Sequence, residues 1–122
     1  HEAKMNGNSP VELWGTGSPK REFLHVDDLA QAVLFSLEKS LDEHLYNVGT
    51  GVDISIKELA DLIQIIIGHK GKIIWDSSKP NGTPRKLLDV NRLNQLGWNS
   101  VITLARGIEE VYALYKTTNN KK

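Results

Sequence analysis

Trp14-Gly-Thr-Gly-Ser-Pro-Lys-Arg-Glu-Phe-Leu-His-Val-Asp-Asp-Leu-Ala30 holds the end of one extended run, a turn, a second extended run and the start of a helix. Val11 to Trp14 and Glu22 to Val26 are β-prone, and Gly15-Thr-Gly-Ser-Pro19 between them has turn chemistry, which predicts a hairpin-like corner. In that reading His25 stands mid-strand as a satisfied structural imidazole. Asp27 can cap the following helix, with Asp28 in its first turn favouring the positive end. Leu29, Ala32, Val33 and Leu37 then recur at helical spacing through about Ser40.

Further along, Leu45 to Val48 reads as a short buried strand stopped by Gly49-Thr-Gly51. Ser55-Ile-Lys-Glu58 is a capping box: the Ser55 hydroxyl can accept from the Glu58 amide while the Glu58 carboxylate reaches back. The helix it opens carries Ile56, Leu59, Ala60, Ile63, Ile66 and Ile67 on one stripe, and Gly68 ends it. Lys72 to Trp75 is a further strand, and residues 76 to 84 form a loop dense in Ser, Pro, Asn and Gly. Asp89 or Asn91 can cap a short helix ending at Gly97. Thr103 can cap a last one, with Leu104, Ile108, Val111 and Tyr115 inward. Thr117 to Lys122 has nothing apolar to bury and is expected to fray. Alternating strands and helices predict an α/β or α+β layer structure with about four helices.

Composition bounds the function classes. The 122 residues contain 15 Lys plus Arg and 15 Asp plus Glu, for a net charge of zero. That balance disfavours a nucleic-acid binder, which normally carries a basic excess. There is no cysteine, so thiolate chemistry and disulfides are out. No apolar run is long enough to span a membrane, and no signal peptide is visible. The opening His1-Glu-Ala-Lys4 has helical propensity without a preceding cap, as if a helix were cut through its middle. A piece of a longer protein is therefore expected.

Few groupings carry chemistry. Gly15-Thr-Gly17 and Gly49-Thr-Gly51 do not complete a dinucleotide-binding glycine motif, because no third glycine follows and the first pair opens onto a strand. Both are read as turns. His1, His25, His44 and His69 have no helical spacing that would ligate a metal. Asp27-Asp28 and Glu109-Glu110 are explained by capping and solvation. Tyr112 and Lys116 have the spacing of a reductase Tyr-Lys pair, but on the outer end of a terminal helix, where coincidence accounts for it. What remains is a pair of basic loops, 14–21 and 78–86. Arg21 and Arg85 could each hold a phosphate by paired hydrogen bonds, with Trp14 stacking on a sugar or base and Asn81 bonding hydroxyls. Alternatively Lys20, Lys79 and Lys86 only keep these loops soluble. Charge and spacing leave both readings open.

At these residues the chain resembles a family. Trp14 to Ala30, Tyr46-Asn-Val-Gly-Thr-Gly51, Ile56-Lys-Glu-Leu-Ala60 and Lys79-Pro-Asn-Gly-Thr-Pro-Arg-Lys-Leu-Leu-Asp-Val90 look like the C-terminal part of bacterial GDP-L-fucose synthases. These are extended short-chain dehydrogenase/reductases, and the likeness runs from His1 to about Tyr115. The Lys79–Lys86 run is the more particular; Arg21 to Asp28 recurs across nucleotide-sugar enzymes. The resemblance implies a cytoplasmic, homodimeric, NADPH-dependent epimerase-reductase acting on GDP-4-keto-6-deoxy-D-mannose. Its cofactor domain and catalytic residues would precede the equivalent of His1. No catalytic or cofactor-binding residue is therefore assigned here, and the isolated chain is expected to be inactive. Residues 1–116 would form the substrate-binding region and 117–122 a disordered tail. By position Trp14 and Arg21 match substrate-binding residues of the family. Asn81 stands where an Asp is common, and Arg85 and Lys86 resemble residues directed at the diphosphate. A non-catalytic nucleotide-sugar or phosphate-binding module is the alternative reading.

Overall fold

The computed structural model describes residues 1–42 and 45–119; His44 and residues 120–122 of the expected tail lie outside them. In chain order the elements are α1 (Glu2–Met5), β1 (Val11–Trp14), β2 (Lys20–Glu22), α2 (Val26–Glu38), β3 (Asp53–Ser55), α3 (Ile56–Ile67), β4 (Ile73–Asp76), β5 (Arg85–Lys86), α4 (Asn91–Gln95) and α5 (Leu104–Asn119). Short strands alternate with helices, as the α/β reading expects. Residues 117–119, expected to fray, continue the last helix.

The hairpin does not form. β1 pairs in parallel with β4, Val11 opposite Ile73 and Trp14 opposite Asp76, while β2 lies in a separate sheet of order β3-β2-β5. Within it, β2 is antiparallel to β3 and parallel to β5. The turn between β1 and β2 hands the chain from one sheet to the other. Gly15 and Gly17 take positive φ of 79° and 74°, which glycine adopts without strain. Gly17 also has no room for a side chain: a Cβ there would lie 2.6 Å from the Trp75 ring. Its carbonyl accepts from the Lys57 amide at 2.9 Å, and Pro19 accepts from Ile56. The turn is thus stitched to the start of α3, and β2 is delivered beside β3.

β2 is also shorter than predicted, because the second extended run ends in a helix cap. His25 is the N-cap of α2, and its Nδ1 accepts from the Asp27 amide at 3.2 Å. Asp27 therefore does not cap, and His25 is not mid-strand, though its ring is satisfied by local structure. Asp28 does more than favour the helix dipole. It is 2% exposed, and its carboxylate accepts from the Val101 and Ile102 amides, the latter at 2.9 Å. Those bonds anchor the segment that leads into α5.

The core is small: Ala32 of α2, Leu93 of α4 and Trp98, with Leu24, Phe35, Tyr46 and Val48 packed against them. No strand forms over 45–48. Tyr46 and Val48 fill the core's edge instead, while the Asn47 side chain donates to the Asp89 carbonyl. Of the apolar residues that recur at helical spacing along α2, only Ala32 is buried; Leu29, Val33 and Leu37 are exposed, Leu37 by 78%. Periodicity finds the helix, but nothing among the described residues covers that side of it.

Local signals fare better. The capping box at Ser55 is complete, with Ser55 Oγ accepting from the Glu58 amide at 3.1 Å and Glu58 Oε2 accepting from the Ser55 amide at 2.9 Å. The Ser55 hydroxyl also donates to Glu58 Oε2 at 2.6 Å, and that bond, followed by the one from the Ser55 amide, holds the Glu58 carboxyl below its ordinary range. Gly68 closes α3 at φ 71°. Asp89 Oδ1 accepts from the Asn91 amide at the start of α4, and the Thr103 hydroxyl accepts from the Arg106 amide at the start of α5. α3 packs against α5, and beside them opens an apolar cavity of about 690 Å³ lined by Ile63, Ile67, Leu104, Ile108 and Tyr112.

Candidate functional site

The register of β2 against β5 decides what the basic loops can do. Lys20 is opposite Arg85, and Arg21 is opposite Lys86. Paired residues of adjacent strands share a face, and successive residues alternate. One face therefore carries Lys20, Glu22, Asp53, Ser55 and Arg85; the other carries Arg21, Ile54 and Lys86. The Arg21 and Arg85 side chains point to opposite sides of one sheet. The expected two-arginine grip is not built.

Arg85 has a partner of its own. Its Nε donates to Asp53 Oδ2, and the Asp53 side chain is 8% exposed. The hydrogen bond from Arg85, reinforced by its charge, holds the Asp53 carboxyl below its usual value and raises Arg85 further. Arg85 is a structural cation on this evidence of geometry, not the mate of Arg21. Lys86 takes the place that spacing alone gives to Arg85.

The two loops also touch each other. Trp14 closes β1 and is 71% exposed, with Lys79 Nζ 5.6 Å from its ring centroid. Asn81 Oδ1 accepts from the Thr16 amide at 2.7 Å and from the Thr16 hydroxyl at 3.1 Å. This bond ties the 78–84 loop to the glycine turn. It also explains Gly15, where a Cβ would fall 2.4 Å from that oxygen. The Asn81 oxygen is thus spent inside the protein, and what it can offer a ligand is its amide N–H. Gly82, at φ 72°, lies beside Arg21: a Cβ there would sit 3.9 Å from Arg21 Nη2. The Arg21 guanidinium folds back through Nη1 onto the Lys20 carbonyl at 2.6 Å. Trp14, Arg21 and Asn81 therefore border one pair of contacting loops, with Lys86 on the Arg21 face.

Glu22 escaped the sequence reading. Its Oε1 accepts from the Gly51 amide at 2.6 Å and the Thr50 hydroxyl at 3.3 Å, and its Oε2 accepts from the Leu88 amide at 3.1 Å. The Gly49–Gly51 turn does bind an anion, but an internal one. A charged residue in a predicted strand next to Arg21 was the available signal. Tyr112 and Lys116 do not form a reductase-like pair: Tyr112 Oη is hydrogen-bonded to His1 Nδ1 at 2.9 Å, and Lys116 Nζ lies 4.7 Å from the ring centroid. The apolar cavity beside α3 and α5 is lined by none of Trp14, Arg21, Asn81, Arg85 and Lys86. Among the described residues no group of three or more metal-ligating side chains converges. No helix there is long and apolar enough to cross a membrane.

Known proteins share this arrangement of elements. Residues 1–49 match the NAD dependent epimerase/dehydratase family. A probable GDP-L-fucose synthase 1 from Oryza sativa subsp. japonica is 50% identical over 115 residues, 94% of this chain and 35% of the relative. GDP-L-fucose synthase from Escherichia coli (strain K12) is 48% identical over 121 residues, 92% of this chain and 38% of the relative. Among solved structures, a GDP-6-OMe-4-keto-L-xylo-heptose reductase from C. jejuni superimposes with a TM-score of 0.83 at 36% identity, over 90% of this chain and 34% of that one. The chain spans about a third of the length of the curated relatives it matches. Over that shared third, its sequence is similar to that of GDP-L-fucose synthases.

Proposed function

We propose that this chain is the substrate-binding part of an enzyme that converts GDP-4-keto-6-deoxy-D-mannose to GDP-L-fucose by 3,5-epimerisation and NADPH-dependent 4-keto reduction. The observation that carries the reading is identity of 48–50% to GDP-L-fucose synthases over at least 92% of the chain. That the loops carrying Trp14, Arg21 and Asn81 touch through the Asn81–Thr16 bonds and beside Gly82 is consistent with it. Trp14 offers a flat apolar surface for a base or sugar. Arg21 offers a charged donor to phosphate, Lys86 a second cation on the same face, and the Asn81 amide a donor to a hydroxyl. Holding a nucleotide sugar there lowers the entropic barrier to chemistry done by residues elsewhere.

NADPH does not fit the residues of this chain. The Gly15–Gly17 turn leads into strand β2, not a helix, and the Gly51 amide is taken by Glu22. The cofactor, the groups that reduce and epimerise, and the homodimer contacts are assigned to the remainder of the whole enzyme, in the cytoplasm. The test is to join this chain to the part of the Escherichia coli relative that it does not cover, and to follow cofactor absorbance with GDP-4-keto-6-deoxy-D-mannose. The joined protein should oxidise NADPH, while the isolated chain should not. A folded chimera without turnover, or an isolated chain with it, overturns the reading. Tight GDP binding by the isolated chain in calorimetry would favour an independent nucleotide-sugar module.

A further inference from the structure

We propose that Glu22 is a positioning residue: clamped between the Gly49–Gly51 turn and the Leu88 amide, it sets the register that stands Lys86 beside Arg21 for an anionic diphosphate group. The inference rests on the ligand reading above, and adds to it the part that makes the cationic pair. β5 is only two residues long, so its own ladder offers little to fix its place against β2. A shift of one residue would turn Lys86 to the far face and bring a neighbour in its stead.

Glu22 supplies the missing constraint. It lies one residue after Arg21, so alternation puts its carboxylate on the opposite face, where it does not neutralise the guanidinium. From there Oε2 accepts the Leu88 amide at 3.1 Å, two residues past Lys86, and extends the attachment of β5 beyond its ladder. The carboxylate is itself held by Oε1, which accepts from Gly51 at 2.6 Å and from the Thr50 hydroxyl at 3.3 Å. Charge-assisted bonds of this kind are shorter and stronger than neutral ones. Gly49 completes the fit, because a Cβ at that position would fall 2.4 Å from Oε1. Three segments far apart in sequence therefore meet on one side chain.

The experiment titrates the chain with pyrophosphate and follows backbone amide shifts by NMR, in the wild type and in Glu22→Gln and Gly49→Ala. Glu22→Gln removes the charge; Gly49→Ala keeps it and displaces the carboxylate. Arg21 and Lys86 should titrate together in the wild type with one dissociation constant. In each variant Lys86 should stop responding, or respond at least about tenfold more weakly than Arg21, while Arg21 still titrates. A general loosening of the fold would weaken both residues alike, so unequal loss separates positioning from mere stability. If Glu22→Gln does not fold, Gly49→Ala decides. A folded variant in which both residues titrate as in the wild type, or weaken equally, sinks the positioning role and leaves the ligand reading standing. A wild type in which neither residue responds removes the ligand reading, and this inference with it.

Discussion

On one face of the β3-β2-β5 sheet, Arg85 is paired with Asp53 and Glu22 accepts from Gly51, Thr50 and Leu88. On the other, Arg21 and Lys86 stand side by side with Ile54, and no carboxylate shares their strand positions. The strands are the same and the charges are similar in kind. What differs is whether the counter-charge comes from within the chain. The first face uses its ions to hold loops together; the second carries Arg21 and Lys86 with no carboxylate at the paired strand positions among the described residues. Composition, which balances to zero over the whole chain, hides this segregation.

The sharpest way to break the comparison is to remove one arginine from each face. In the joined enzyme, Arg21→Ala should weaken GDP binding by about 1.5–3 kcal/mol, roughly 10- to 150-fold, as expected for loss of a charged hydrogen bond. Arg85→Ala should leave GDP affinity within about threefold, since its partner is Asp53. Calorimetry on the two variants decides it, and equal losses would erase the distinction between the faces.

A smaller effect appears in stability. Arg85→Ala should lower the urea midpoint at neutral pH relative to the wild type. The Asp53 carboxyl is held below its ordinary value of 3.8 by the hydrogen bond from Arg85. A depressed carboxyl pKa contributes stability that is present above the unfolded value and lost as pH falls through the folded one. The gap between wild type and variant should therefore be full above 3.8 and close as the pH drops further. Urea midpoints measured down that range test it; a gap that persists in strong acid would mean that packing, not the ion pair, is responsible. Smallest of all, Lys79→Ala removes a cation placed over Trp14. Contacts of this type at exposed sites are worth about 0.5–1 kcal/mol, so any change in GDP affinity should be severalfold at most.

Legibility follows the range of the interaction. The Ser55–Glu58 box, the Gly68 stop and the β4 strand were readable because each is set by residues within a few positions. The turn at 15–19 was readable as a turn, but its destination was not. A hairpin is the usual outcome, and here the Lys57 and Ile56 amides redirect the chain to β3. Asp28 looked like a helix-start carboxylate, and its buried bonds to Val101 and Ile102 lie more than seventy residues away. On α5 the sequence reading turned Leu104, Ile108, Val111 and Tyr115 inward, yet Val111 and Tyr115 are exposed, because periodicity marks a face without saying what covers it.

At the candidate site the same division holds. Residue types and the glycine and proline of both loops, together with the likeness to a family, singled out Trp14, Arg21, Asn81, Arg85 and Lys86 from the chain alone. Which of the two neighbours, Arg85 or Lys86, stands with Arg21 was decided by the pairing of β2 with β5. Side chains alternate along a strand, so one residue of register exchanges the two faces. That register is held by contacts such as Glu22 with Leu88, across sixty-six residues of chain, and no local pattern encodes a bond of that span.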